Sequence, residues 1–288
     1  MDSSKILKRN FALALLALLI ALLAMAAATF AWYIYNTNAH TTNVHMAAGA
    51  SASLQISNRY DGEYGSAAVM DEFKGTLNPV STDKISNGFQ KVFGFTDGSE
   101  NQPALVASLF GEVDTSDYYK TSLYIRTNGE KLKVYLSNIG YEDDDPDRPI
   151  STAIRIGIVP HEAGQDKSAI GEYIFEINNA KNPEAEYNTQ HGQEGDVLDS
   201  TKTDGTTVKF TPYNSDNFCI YNADEGTASL KENSVALCTV EGKDGGYWEP
   251  VQIDIYIWLE GCDEDCTNNL CARTLKNLAL SFAGFAQE

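Results

Sequence analysis

The feature that most constrains the fold is a two-residue alternation of apolar and polar side chains in the body of the chain. In the segment Val251–Trp258, Val251, Ile253, Ile255 and Ile257 share one face, while Gln252, Asp254, Tyr256 and Trp258 share the other. Successive strand side chains point to opposite sides of a sheet, so this spacing suits a strand and not a helix. Comparable segments occur at Ile150–Val159, Gly171–Asn178, Thr206–Tyr213, Asn217–Ala223, Ser234–Val240 and Lys276–Phe285, separated by Gly, Asn, Asp and Pro. Many short strands with little helix between them predict an all-β fold, an antiparallel β-sandwich or jelly roll.

The most regular unit is Asp117–Asn138. Leu123 and Ile125 alternate with Tyr124 and Arg126, and Leu132, Val134 and Leu136 alternate with Lys133 and Tyr135. Asn128-Gly129 between them can take the positive φ of a tight turn, which predicts a β-hairpin. The segment Val69–Ser81 suggests a short helix before a turn at Pro79. Two polar insertions, Tyr141–Arg148 and Asn179–Asp204, interrupt the pattern, and the second is long for a loop inside a compact domain.

The other end of the chain is different. Phe11–Tyr35 contains no charged residue and only Thr29 as a polar member. As a helix it would run about 37 Å, enough to span a bilayer. Lys5, Lys8 and Arg9 precede it, which predicts a cytoplasmic N-terminus and an exported body. Small residues at Ala26–Ala28 and Ala31 offer a signal-peptidase site, with cleavage after Ala31, but the apolar run is longer than most signal-peptide cores. The segment therefore reads as either a cleaved signal or a retained anchor. It lacks the Gly and Glu of a type IV prepilin, having Asn10 and Leu15 at those places.

The predicted organisation is a signal peptide or membrane anchor at 1–31, with the apolar run extending to 35; an extended segment at 32–57; and a single extracellular β-sandwich ectodomain at 58–288. Asn43–Ser57 is a candidate donor strand for a neighbouring subunit, and a first strand of its own sheet at Ser53–Ser57 is the alternative.

Charge narrows the partners. The net charge is -19; Lys5, Lys8 and Arg9 against Asp2 leave the leader at +2, so the body carries -21. Such a body is repelled by phosphate backbones, which argues against nucleic acid. Self-association, other surface proteins, and the membrane through the N-terminal segment are the expected partners.

No standard catalytic set is visible. His161 is followed by Glu162 but not by a second His four residues on, so the HExxH zinc-protease motif is absent, as are a GxSxG elbow and a phosphate-binding loop. The five cysteines, Cys219, Cys238, Cys262, Cys266 and Cys271, all lie in the last quarter. In an exported protein they are disulfide candidates, with at most two bridges, and a thiolate zinc site is the rival reading. Two acidic clusters, Asp143, Asp144, Asp145 and Asp147 in one loop and Asp263 and Asp265 in another, offer hard oxygen ligands to calcium, without the regular spacing of an EF-hand.

The leader ends in Thr29-Phe30-Ala31-Trp32-Tyr33 and precedes an acidic β-rich body; in this it resembles the exported Gram-positive proteins grouped with camelysin and the TasA biofilm fibre proteins. Short motifs at Leu77–Ser81, Ser122–Thr127, Ala153–Val159 and Ile257–Cys266 are similar to segments of uncharacterised Firmicute surface proteins. The resemblance implies a jelly roll outside the cell, processing by a dedicated signal peptidase, and, in fibre-forming members, assembly by donation of an N-terminal strand. Camelysin's classification as a metallopeptidase is not carried over, because no zinc-protease motif is present. The expectation is a non-enzymatic cell-surface or matrix protein, with a membrane-anchored adhesin or ligand-binding module as the alternative and a secreted hydrolase as the third reading.

Overall fold

The computed structural model describes residues 54–71, 76–92, 113–181, 195–202, 205–222, 227–267, 270 and 273–286, together with the backbone of four short strands between residues 40 and 105. The leader, the Ala31 site, Cys271 and most of the insertion at 182–194 lie outside the described residues. No helix among the described residues is long and apolar enough to cross a membrane.

The fold is all-β, and the described residues form nineteen strands in two large open sheets and three two-stranded ribbons. In chain order the strands are β1 (His40–Thr41), β2 (Val44–Ala48), β3 (Leu54–Ser57), β4 (Ala67–Ala68), β5 (Pro79–Ser81), β6 (Gln90–Lys91), β7 (Phe95–Thr96), β8 (Ala104–Leu105), β9 (Tyr119–Thr127) and β10 (Leu132–Asp143). They continue with β11 (Ile154–Ala163), β12 (Tyr173–Glu176), β13 (Asp196–Leu198), β14 (Thr207–Lys209), β15 (Ile220–Asn222), β16 (Thr227–Ser229), β17 (Ala236–Val240), β18 (Val251–Glu260) and β19 (Leu275–Ala286). The first sheet runs β17-β10-β19-β2-β4, with β1 also on β19; the second runs β12-β11-β18, and β18 is followed on its other side by β9-β3 and, further along, by β5-β6.

The inner faces of both sheets supply one core. Leu123 and Ile125 of β9, Ile154, Ile156 and Ile158 of β11 and the four alternating residues Val251–Ile257 of β18 meet Leu132, Val134 and Leu136 of β10 and Leu278, Leu280 and Phe282 of β19. Each such side chain, fully buried, contributes about 1.5–3 kcal/mol of transfer free energy. The alternation of β18 was legible, but its second face is covered at one end too. Trp258 is 0% exposed and packs with Val80, Ile85, Val159 and Ile174.

The predicted hairpin at Asp117–Asn138 does not form. β9 pairs with β18 and β3, whereas β10 pairs with β17 and β19, so the connector at 128–131 steps from one sheet to the other. Gly129 has no positive φ, as a tight hairpin turn would require. The physical reason is that both strands have strongly apolar faces, and placing them in opposite layers turns both faces onto one core. Gly242, after β17, lies against this connector; a Cβ there would meet the Gly129 carbonyl oxygen, and the Glu130 carbonyl carbon at 2.6 Å.

Three pairings are parallel: β1 and β2 with β19, and β5 with β18. Parallel neighbours need crossover connections, so these strands enter their sheets from distant parts of the chain and not through local turns. Among the described residues the second strand, β2, thus lies beside the last, β19, with His45 opposite Ser281 and Ala47 opposite Ala283. The predicted helix in Val69–Ser81 falls partly on residues 72–75, outside the described residues; Pro79–Ser81 is strand, and a 3-10 turn follows at Ile85–Asn87.

Candidate functional site

Three polar arrangements stand out from the core; the acidic residues of two of them form clusters in the sequence, but their partners come from elsewhere in the chain. The first is a cleft of about 310 Å³ where the end of β18 meets the polar insertion, lined among others by Arg155, Asn178, Phe210, Asn214, Asp263 and Asp265. Arg155 projects from β11 and is buried. Its Nη1 donates to the carbonyls of Thr152 and Ile154, and its Nη2 to Asp263 Oδ2. Asp263 Oδ1 accepts the Asp265 amide at 2.9 Å, and Glu264 pairs with Lys181 at 2.9 Å. A buried, doubly anchored arginine fixes the turn Asp263–Asp265 against β11.

Behind that turn is a buried network around Glu260. Its carboxylate accepts Trp258 Nε1 at 3.0 Å and the Cys262 amide at 3.2 Å. The Ser81 hydroxyl, which accepts the Leu198 amide, bonds to it as well. Burial pushes the Glu260 carboxyl up to about 7, against the hydrogen bonds and the Arg155 charge, which favour the ionised form. Burial and the Glu260 charge also push the Cys262 thiol well above its ordinary value. A thiol beside a carboxylate has the composition of a nucleophile and a base, but both groups are inside the protein and the thiol is held protonated, so this pair is structural.

The second arrangement lies on the outer face of the β9/β18 sheet. Asp254, in the middle of β18, accepts Ser122 Oγ at 2.7 Å and Gln252 Nε2 at 2.8 Å, and Lys120 Nζ lies 3.3 Å from its other oxygen. His161 Nε2 is 3.3 Å from the same oxygen but off the hydrogen-bond direction, while its Nδ1 meets the Lys167 carbonyl at 2.8 Å. Burial would raise the Asp254 carboxyl, but these hydrogen bonds and charges hold it below the ordinary carboxylate range. Serine, aspartate and histidine are together here, yet the serine donates to aspartate and not to histidine. A nucleophile-to-base bond, the defining contact of a hydrolytic triad, is not made. Sequence reading missed this group because its members come from three strands; the one available signal was an acid on the outward face of the most apolar strand.

The third arrangement is the acidic loop after β10. Asp143 accepts the Ser151 amide and hydroxyl at 3.0 and 2.6 Å, and Asp144 accepts the Thr274 amide at 2.9 Å. Asp145 is clasped by Arg148 at 2.7 Å and Arg273 at 2.9 Å, and accepts the Asp147 amide. The Arg148 hydrogen bond above all holds its carboxyl below the usual range. The loop brings the four aspartates together in sequence order but turns Asp143, Asp144 and Asp145 to separate partners. Among the described residues no three His, Cys, Asp or Glu side chains converge as a metal centre.

The described cysteines form no disulfide with one another. Cys219 and Cys238 sit on opposite faces of the first sheet. Cys238 lies opposite Val134 in the core, whereas Cys219 packs with Tyr135 and Ala283 outside it. Side chains on opposite faces point apart, and such a pair cannot be bridged without backbone movement. Cys262 and Cys266 are both buried in the turn after β18.

The described residues form an all-β protein of two large open sheets with buried and half-buried polar networks. The chain matches no family model, and neither a curated protein nor a solved structure is similar to it.

Proposed function

We propose that the protein is a non-enzymatic, exported surface or matrix protein whose two-sheet body is a jelly roll, and whose segment after the leader can be donated to a neighbouring copy. The leader, Phe11–Tyr35, is a signal or anchor helix in this reading, and self-association is the partner chemistry. One observation carries it: β1 and β2, early in the chain, lie parallel to β19, more than 200 residues later, with Ser281–Gly284 of β19 paired to His45–Ala48 of β2.

On its other side β2 meets the two-residue strand β4, so its longer pairing is the one with β19. Without β2, the long β19 would present unpaired amides and carbonyls, which any extended segment of the same sequence can satisfy. Insertion in cis and donation in trans use the same register, the usual relation between a closed monomer and a strand-exchanged assembly. The likeness of the Thr29–Tyr33 segment to the leaders of camelysin and TasA-type proteins supports the same reading.

Protein isolated from its native cell tests it. N-terminal sequencing should find a chain that starts near Trp32, and negative-stain microscopy should find filaments or oligomers. Strictly monomeric material that begins at Met1 would overturn the proposal.

A further inference from the structure

The outer face of the β9/β18 sheet carries a second feature, independent of strand exchange. Along β9 the outward side chains are Lys120, Ser122, Tyr124 and Arg126, and opposite them on β18 are Tyr256, Asp254 and Gln252, with Gln55 of β3 opposite Arg126. Aromatic rings gather at the two ends of this track. At one end Tyr118 stacks on Phe89 at 4.5 Å and lies 6.2 Å from Tyr256. At the other, Tyr60 meets Tyr124 edge-on at 5.8 Å, and the Arg126 guanidinium is clasped between the rings of Tyr64 and Tyr247, 3.8 and 3.7 Å from their centroids. Trp248, beside Tyr247, is 50% exposed.

The rings are thus held in place before any ligand arrives. Tyr247 is fixed by Arg126, which is itself bonded to Gln55 at 3.1 Å. From Tyr118 to Arg126 the track is about 26 Å long at the usual strand rise. Its middle is polar, made of Lys120, Ser122, Gln252 and Asp254, whose charges answer one another.

We infer that this face binds a neutral polysaccharide chain. Pyranose rings present C–H faces that stack on aromatic side chains and hydroxyls that both donate and accept hydrogen bonds. Aromatic ends with an amide- and hydroxyl-bearing middle match that pattern. Charge complementarity selects the neutral ligand. The track has no surplus of cations, since Lys120 is answered by Asp254 and Arg126 is enclosed by rings, and a chain of net charge -19 repels polyanions. A protein partner, or a second copy, would call for the reverse anatomy, an apolar centre depleted in charge with a polar rim. A proline-rich peptide would call for a continuous aromatic-lined groove, whereas Tyr124 and Tyr118 are about 20 Å apart along β9 at the usual strand rise.

Affinity electrophoresis of the full chain in a non-glycosidic detergent tests the inference. The gels contain laminarin, galactomannan or dextran as neutral probes and hyaluronate as an anionic one, and a polyproline peptide serves as competitor. At least one neutral polysaccharide should retard the wild type, and hyaluronate should not. Tyr247→Ala, whose ring lies over Arg126, and Tyr124→Ala, on β9, should weaken that retardation at least tenfold while leaving the urea midpoint near that of the wild type; Lys181→Ala, in the cleft by the Asp263–Asp265 turn, should leave it unchanged. No retardation by any neutral probe would overturn the inference. So would equal retardation of wild type and both aromatic variants, preference for hyaluronate, or displacement by polyproline. None of these results bears on strand donation, which is read by the isolated protein's N-terminus and assembly.

Discussion

Trp258 Nε1 donates to Glu260 Oε2 at 3.0 Å, joining two residues of one strand across a pleat and placing a carboxyl group in the interior. The pair is held by the end of β18, where the core on one side and Ile85, Val80 and Val92 on the other leave little access for water.

That placement makes stability depend on pH. The Glu260 carboxyl is raised from 4.5 to about 7 in the folded protein, so its contribution is fully present below 4.5 and is lost as pH rises through 7. The loss over that window is on the order of 3 kcal/mol. Urea unfolding at pH 5 and pH 8 should show the wild type losing stability relative to Glu260→Gln, whose side chain does not ionise. A difference between the two proteins that stays constant across this range would contradict the assignment.

The buried thiols should be chemically silent. Burial pushes Cys219 up to about 11 and Cys238 up to about 12. At pH 8 the thiolate, the reactive form, is then scarce. Iodoacetamide added to native protein should leave both residues unmodified over hours, and alkylation should become complete in urea. Mass spectrometry of tryptic peptides reads this directly, and stoichiometric native labelling at Cys238 would show that it is not in the core.

The step between layers after β9 can be tested at Gly242. An alanine there must displace the backbone of Gly129 and Glu130, and overpacking against backbone costs about 1–3 kcal/mol or more. Gly245, in the same β17–β18 connection, has a positive φ of 69° but nothing within 4 Å of where a Cβ would stand, so its replacement carries backbone strain without a steric clash. Gly242→Ala should therefore lower the urea midpoint with little change in the denaturant slope; an unchanged midpoint would mean that the connector does not pass beside Gly242.

Most strands were legible because alternation is a local property. Val251–Glu260 and Leu275–Ala286 fall where the pattern placed them, while the strand expected at Ile150–Val159 runs Ile154–Ala163, after a 3-10 turn at Ile150–Ala153. Pairing is not local, and there sequence reading failed. Leu123 and Leu132 look like two arms of a hairpin, but the shared core faces separate them into different sheets. The cysteines show a related limit: the sequence gave no sign that Cys238 faces the core and Cys219 the other side of the first sheet. The Asp254 group was invisible because Ser122, His161 and Asp254 are joined only by strand register. The acidic loops looked like ligand sets, since composition does not show that Arg148, Arg273 and backbone amides claim the same oxygens.

The central claim is that the strand after the leader can pair with β19 of another copy, and cysteine cross-linking measures that most directly. Ala47 and Ala283 are paired residues of β2 and β19, so Ala47→Cys/Ala283→Cys reports which chain supplies the strand. The doubly substituted full chain, isolated from its own cell and oxidised, is run on a non-reducing denaturing gel beside each single variant. Strand donation predicts a ladder of cross-linked dimers, trimers and higher species in the double variant only. An intrachain link alone, at every protein concentration and in assembled material, would contradict it.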